Sequence, residues 1–155
     1  MSLERSITAA QGYLELDMPA EALEELEALP NEIAGHSEIV QLKLIILMRL
    51  MEWQKALDLC YLLQDQFKKL TIGYIHGAYC LHEMGRTQEA KELLINGPAH
   101  LFNEPLFHYN LGCYEAVLGN LDAAIEHLKS SFMMDDDLRN IARRDPDLEM
   151  VSHRL

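Results

Sequence analysis

Seven histidines, three cysteines and a surplus of carboxylates are the side chains here that could do chemistry, and their spacing decides whether they do. His76 and His82 are six residues apart, which places them on different faces of a helix, whereas a zinc-binding helix presents its pair at i and i+4. His36, His100, His108, His127 and His153 share no spacing. The run Asp135-Asp136-Asp137 lacks the glycine and the closing glutamate of a calcium loop. No glycine-rich phosphate cradle, nucleophile elbow or Cys/His cluster occurs. A meeting of His82 with Cys113, or of His108 with Cys80, is the one metal or acid–base geometry left open. The expectation is a protein that is not an enzyme and needs no metal and no cofactor. Cys60, Cys80 and Cys113 are an odd count without C-x-x-C spacing and read as reduced core or groove thiols of a cytoplasmic protein.

Charge narrows the partners. The 155-residue chain carries a formal net charge of −12. Residues 1–40 hold nine acids (Glu4, Glu15, Asp17, Glu21, Glu24, Glu25, Glu27, Glu32 and Glu38) against Arg5 alone, so eight of the twelve net charges lie there. Such a surface repels phosphate backbones, which argues against nucleic acid and anionic membrane as partners. The acid-rich start is either a solvated helix face or a docking face for a basic partner. No apolar run is long enough to span a bilayer, and the N-terminus has no secretory pattern.

The elements that carry these residues follow from a period. Ala22, Ala56, Ala90 and Ala124 are each 34 residues apart. Each is followed by a residue with an apolar body: Leu23, Leu57, Lys91 and Ile125. Four residues beyond lie Leu26, Cys60, Leu94 and Leu128; six before lie Leu16, Leu50, Met84 and Leu118; nine before lie Tyr13, Leu47, Leu81 and Glu115. A fixed period of this length marks a solenoid of repeated helix pairs. The third repeat predicts one helix over 71–84, a turn at Gly85-Arg86-Thr87 and a second helix over 88–96 stopped by Gly97-Pro98. The fourth predicts helices over 105–118 and 121–134 around Gly119-Asn120, with Pro105 in a first-turn position. Gly85 suits a left-handed helix end and Thr87 a following N-cap. The periodic alanine is small so that the paired backbones can approach.

These repeats resemble the tetratricopeptide repeat, whose 34-residue helix–turn–helix carries a W-x2-L-G-x2-Y, then A-x3-F, then P pattern. The fourth repeat matches at Leu111-Gly112, Gly119, Ala124 and Leu128. The third matches at Tyr74, Ala78, Leu81, Gly85, Ala90 and Leu94, and the first at Ala9-Ala10, Tyr13, Ala22 and Leu26. The second is weakest, with Val40, Leu44, Leu47, Ala56 and Cys60 in place but Lys43 where an apolar residue is usual. The closing proline is absent at Ala34, Lys68, Phe102 and Asp136. The chain is identified as one domain over 1–155, with repeats at about 3–36, 37–70, 71–104 and 105–136. The fold class expected is all-α, a right-handed superhelical α-solenoid of antiparallel helix pairs.

Residues 137–155 fit no fifth repeat and read as a cap, with a short helix on either side of Pro146 and an apolar side of Leu138, Ile141, Ala142, Leu148 and Val151. Glu115 stands where a large aromatic is usual. It is expected either to pair with Arg139 or Arg143 of the cap or to reach solvent.

The resemblance implies that the first helices line a concave face holding an extended peptide or a helix. The lining expected is Ile72, Ile75, Tyr79 and His82 in the third repeat and Leu106, Tyr109, Cys113 and Ala116 in the fourth. In the second it is Glu38, Gln41, Ile45 and Met48, and in the first Glu4, Ile7, Gln11 and Leu14. Periodicity alone also allows these side chains to pack against one another. Members of the family that clamp acidic chaperone tails use Lys, Arg and Asn on this face. Asn110 matches one such position without its basic neighbours, so a neutral-apolar or mildly basic segment is expected.

The leading functional expectation is a non-enzymatic scaffold for a protein or peptide partner. Two others stand beside it: a secretion chaperone of the type III translocator kind, and a subunit forming a homodimer through Ile72, Leu106 and the tyrosines.

Overall fold

The computed structural model describes residues 2–155. Among them the regular structure is helical throughout. The α-helices are α1 (Leu3–Glu15), α2 (Pro19–Glu27), the single turn α3 (Asn31–Ala34), α4 (Ser37–Arg49), α5 (Trp53–Gln66), α6 (Ile72–Glu83), α7 (Thr87–Ile95), α8 (Pro105–Val117), α9 (Leu121–Met134) and α10 (Leu138–Ala142). Short 3-10 turns run over Ala99–Asn103, Pro146–Leu148 and Ser152–Arg154. None of these helices is long and apolar enough to cross a membrane.

The chain divides into two compact units, one ending at Gly73 and the other spanning Tyr74–Leu155. In the first, α1 packs on α2, α4 on α5, and α2 on α4. Its core gathers Ala10, Ala22, Leu26, Leu29, Ile39 and Ile46. In the second, α7 packs on α8 and α8 on α9, while the Pro146–Leu148 turn lies on α8 and α10 on α9.

The 34-residue columns explain this packing. Ala22, Ala56, Ala90 and Ala124 are all fully buried, and Leu26, Cys60, Leu94 and Leu128 four residues on are at most 3% exposed. One helical turn places each Ala and its partner on one inward stripe. The column six before the alanine is less buried: Leu50, Met84 and Leu118 are half-buried, and Leu16 is 71% exposed. It sits at the end of a first helix, where the stripe has already rotated out of the core.

The turns repeat as faithfully as the helices. Asp17, Met51, Gly85 and Gly119 are spaced by 34 residues and all have positive φ, between 56° and 88°. After each, the next amide donates to the carbonyl five residues back: Met18 to Tyr13, Glu52 to Leu47, Arg86 to Leu81 and Asn120 to Glu115, at 2.8–2.9 Å. These bonds close a left-handed helix end that satisfies the last carbonyls. Glycine serves the third and fourth turns. Asp17 and Met51 hold the same conformation with a Cβ, which L residues adopt at a cost. Met51→Gly, at a side chain 72% exposed, is expected to stabilise the protein by about 0.5–1 kcal/mol after the added freedom of the unfolded chain is deducted. Paired urea melts of the natural chain and the variant check this.

Thr87 does not cap α7. Arg86 holds that position, and Thr87 begins the helix with its hydroxyl turned to His82 Nδ1 at 2.9 Å.

Candidate functional site

The expected lining of the first unit is partly open. Ile45 on α4 is 42% exposed, and Met48 on α4 and Ile72 at the start of α6 are half-buried. In the second unit Tyr79 and Leu106 are exposed, at 37% and 43%. Ile75, Tyr109 and Cys113 are buried, and His82 is half-buried.

What covers the last three is the chain itself. Residues 143–151 leave α10 and cross α6 and α8, with the Pro146–Leu148 turn against α8. Tyr109 Oη donates to Asp145 Oδ2 at 2.7 Å, and Cys113 Sγ lies 3.6 Å from the same oxygen. His82 Nε2 lies 2.8 Å from Asp147 Oδ2. An ionised carboxylate can only accept, so Nε2–H donates to Asp147, and Nδ1 lies within hydrogen-bond distance of the Thr87 hydroxyl. Asp145 Oδ1 also accepts from the Asp147 amide at 3.0 Å, which tightens the turn. Leu148 and Val151 are fully buried. The segment held on this face is thus acidic, where the side chains of the face suggested a neutral or mildly basic one.

The electrostatics follow from burial beside two carboxylates. Burial, then the hydrogen bond to Asp145, pushes the Tyr109 phenol up. Burial, then Asp145 and Asp147, pushes the Cys113 thiol up, so it stays a protonated, unreactive thiol. Burial, then Glu83, pushes Tyr79 up to about 12. Tyr114 packs against His82 with ring centroids 5.0 Å apart and planes tilted by 43°, and its buried hydroxyl has no hydrogen-bond partner among the described residues. Cys113 Sγ and carboxylate oxygens of Asp145 and Asp147 lie within 4.8 Å of one another. These are donor types a divalent metal takes, but each already serves a hydrogen bond with Tyr109 or His82 or between thiol and carboxylate. Cys113 and His82 are brought to the same patch through the Asp145–Asp147 turn.

Glu115 departs from both expectations. Its side chain is 7% exposed and meets Lys91 Nζ at 2.8 Å, with Asn120 Nδ2 donating at 3.3 Å. Arg139 instead pairs with Asp136 and lies over the Phe132 ring, and Arg143 bonds Asn140. The cap therefore takes no part in neutralising Glu115. Ile141, expected on the apolar side of the cap, is 56% exposed. After Pro146 the backbone forms two 3-10 turns in place of an α-helix.

Two histidines are pushed down: His76 by burial, and His127 by burial chiefly, with Glu115 opposing. Both gain a proton more readily in the unfolded chain. Stability is therefore expected to fall as pH drops below about 6.5, the unperturbed histidine value. Thermal melts of natural chain and His76→Gln/His127→Gln at pH 7.5 and pH 5.5 check this; the variant should lose less.

No family model matches the sequence, and no curated protein matches it. Solved structures do. The fold is similar to that of MamA, a TPR-like helical repeat protein. MamA from Desulfovibrio magneticus RS-1, residues 41 to the end, superposes with a TM-score of 0.77 at 17% identity, covering 98% of this chain and 84% of that one. The MamA RS-1 double mutant gives 0.74 at 18% identity with the same coverage. MamA MSR-1 gives 0.71 at 14%, covering 89% and 79%. Identities this low carry the fold: an all-helical, TPR-like solenoid.

Proposed function

We propose that the protein is a non-enzymatic scaffold that holds a peptide or helix of a partner protein against the first helices of its repeats. The observation that carries this reading is the exposure of large apolar side chains, Ile45, Tyr79 and Leu106, on those helices. Exposed apolar area of this kind marks interaction surfaces, and helical-repeat proteins bind along such faces. Tyrosine adds large contact area with few rotors to fix. The net charge of −12 favours a protein partner over nucleic acid or an anionic membrane.

The test is affinity capture with the natural chain and with Tyr79→Ala/Leu106→Ala. Both side chains are exposed, so the variant is expected to keep its melting temperature and to lose at least about 90% of a captured protein, as loss of interface anchors does. Equal capture by both chains would move the binding site elsewhere. Self-association through the same side chains is the second reading, favoured by the exposure of Tyr79 and Leu106 within one unit. Sedimentation at rising concentration separates it from the first.

A further inference from the structure

The chain carries its own occupant for the face of the second unit. Three of the side chains that the repeat pattern assigns to a binding face, His82, Tyr109 and Cys113, are engaged by one short acidic segment. Its side chains divide between polar anchors, buried apolar groups and solvent. Asp145 and Asp147 reach the phenol and the imidazole, Leu148 and Val151 are fully buried, and Met150 remains 67% exposed. This is how a bound peptide meets a groove: a few polar anchors fix register and apolar side chains are buried beside them.

The anchors are a phenol and an imidazole. Among the described residues neither Asp145 nor Asp147 pairs with a Lys or Arg, so no guanidinium or ammonium locks the segment down.

We propose that Asp145–Val151 is an intramolecular ligand of this face. A partner segment with two carboxylates two residues apart, followed by an aliphatic side chain, binds there by displacing it. The proposal rests on the scaffold reading above and adds both the partner's chemistry and a closed state.

The test uses the full chain and a fluorescent peptide with the sequence of residues 144–152. In Asp145→Asn/Asp147→Asn the resident segment is weakened while the probe is not. The labelled peptide is expected to bind this variant at least about tenfold more tightly than the natural chain, since hydrogen bonds to charged groups are being exchanged. Iodoacetamide labelling of Cys113, located by mass spectrometry, should accelerate by a similar factor and slow again under saturating peptide. Adding Tyr109→Phe to that background should remove the gain in peptide binding. Equal peptide binding by variant and natural chain, with Cys113 equally protected, would make the segment a fixed cap and overturn the proposal. If the double variant does not fold, Tyr109→Phe alone serves, because it removes a single hydroxyl. Faster Cys113 labelling supports exchange and an unchanged rate overturns it. Partner capture lost in Tyr79→Ala/Leu106→Ala while peptide exchange fails would leave the scaffold standing without the intramolecular ligand. Exchange without any capture would do the reverse.

Discussion

Replacing Lys91 by Ala is expected to destabilise the protein by about 3 kcal/mol, while Lys91→Leu/Glu115→Leu together should be neutral or stabilising by about 1 kcal/mol. Glu115 is 7% exposed and Lys91 23% exposed at its side chain, and their charged atoms meet at 2.8 Å. Removing the lysine leaves a carboxylate in the packed contact of α7 with α8, where the Asn120 amide at 3.3 Å is its remaining side-chain hydrogen-bond donor among the described residues. An uncompensated buried charge costs more than the pair ever contributed, because desolvation is no longer offset by attraction. The double leucine variant removes both charges and restores what the other repeats carry in those columns. Guanidinium melts of Lys91→Leu, Glu115→Leu and the double variant close the cycle, and the coupling between the positions should exceed about 2 kcal/mol. Simple additivity of the two single effects would show that the pair is solvated and immaterial.

That pair was legible in the sequence, though one column alone did not reveal it. The column after the periodic alanine reads Leu23, Leu57, Lys91 and Ile125, and the column nine before reads Tyr13, Leu47, Leu81 and Glu115. Each has one charged exception, the two are opposite in sign, and they fall on the second helix of one repeat and the first helix of the next. Successive repeats stack those two helices, as α2 packs on α4 and α7 on α8. Taken together, the exceptions name each other. Reading Glu115 alone led to the arginines of the cap, which are nearer in sequence to the end of the chain but not to the carboxylate.

The helices were legible because their burial is periodic, and the glycine turns because glycine announces positive φ. Asp17 and Met51 were silent, since neither residue type signals the left-handed conformation that the 34-residue register nonetheless imposes. The course of residues 143–151 was not legible for a different reason. It obeys no period, and its binding to His82 and Tyr109 is made by two aspartates whose composition suggested solvent. Charge counting treats a carboxylate as repelled by an acidic chain. A phenol and an imidazole N–H, placed locally, outweigh that average at contact distance.

The second large effect concerns the closest approach of two helices. Gly112 on α8 faces α9, and a Cβ built there would lie 2.7 Å from Leu128 Cγ, 2.8 Å from its Cδ2 and 3.2 Å from the Ala124 carbonyl oxygen. Leu128 and Ala124 are both fully buried, so neither side has room to yield. Gly112→Ala is therefore expected to cost about 2–3 kcal/mol, although alanine is the better helix former by about 1 kcal/mol at an unconstrained site. Ala124→Leu overpacks the same contact from the other helix and should cost about 1–3 kcal/mol. Gly112→Ala/Leu128→Ala makes room for the new methyl, so its loss should fall well short of the sum of the two single losses. Urea melts measure all four. If Gly112→Ala proved as stable as the natural chain, α8 and α9 would be able to separate by several tenths of an ångström without consequence. The full burial of the alanine column would then owe nothing to close backbone approach. The period of 34 would reflect helix length and turn geometry alone, and the identity of the residue at Ala22, Ala56, Ala90 and Ala124 would be free to vary in size.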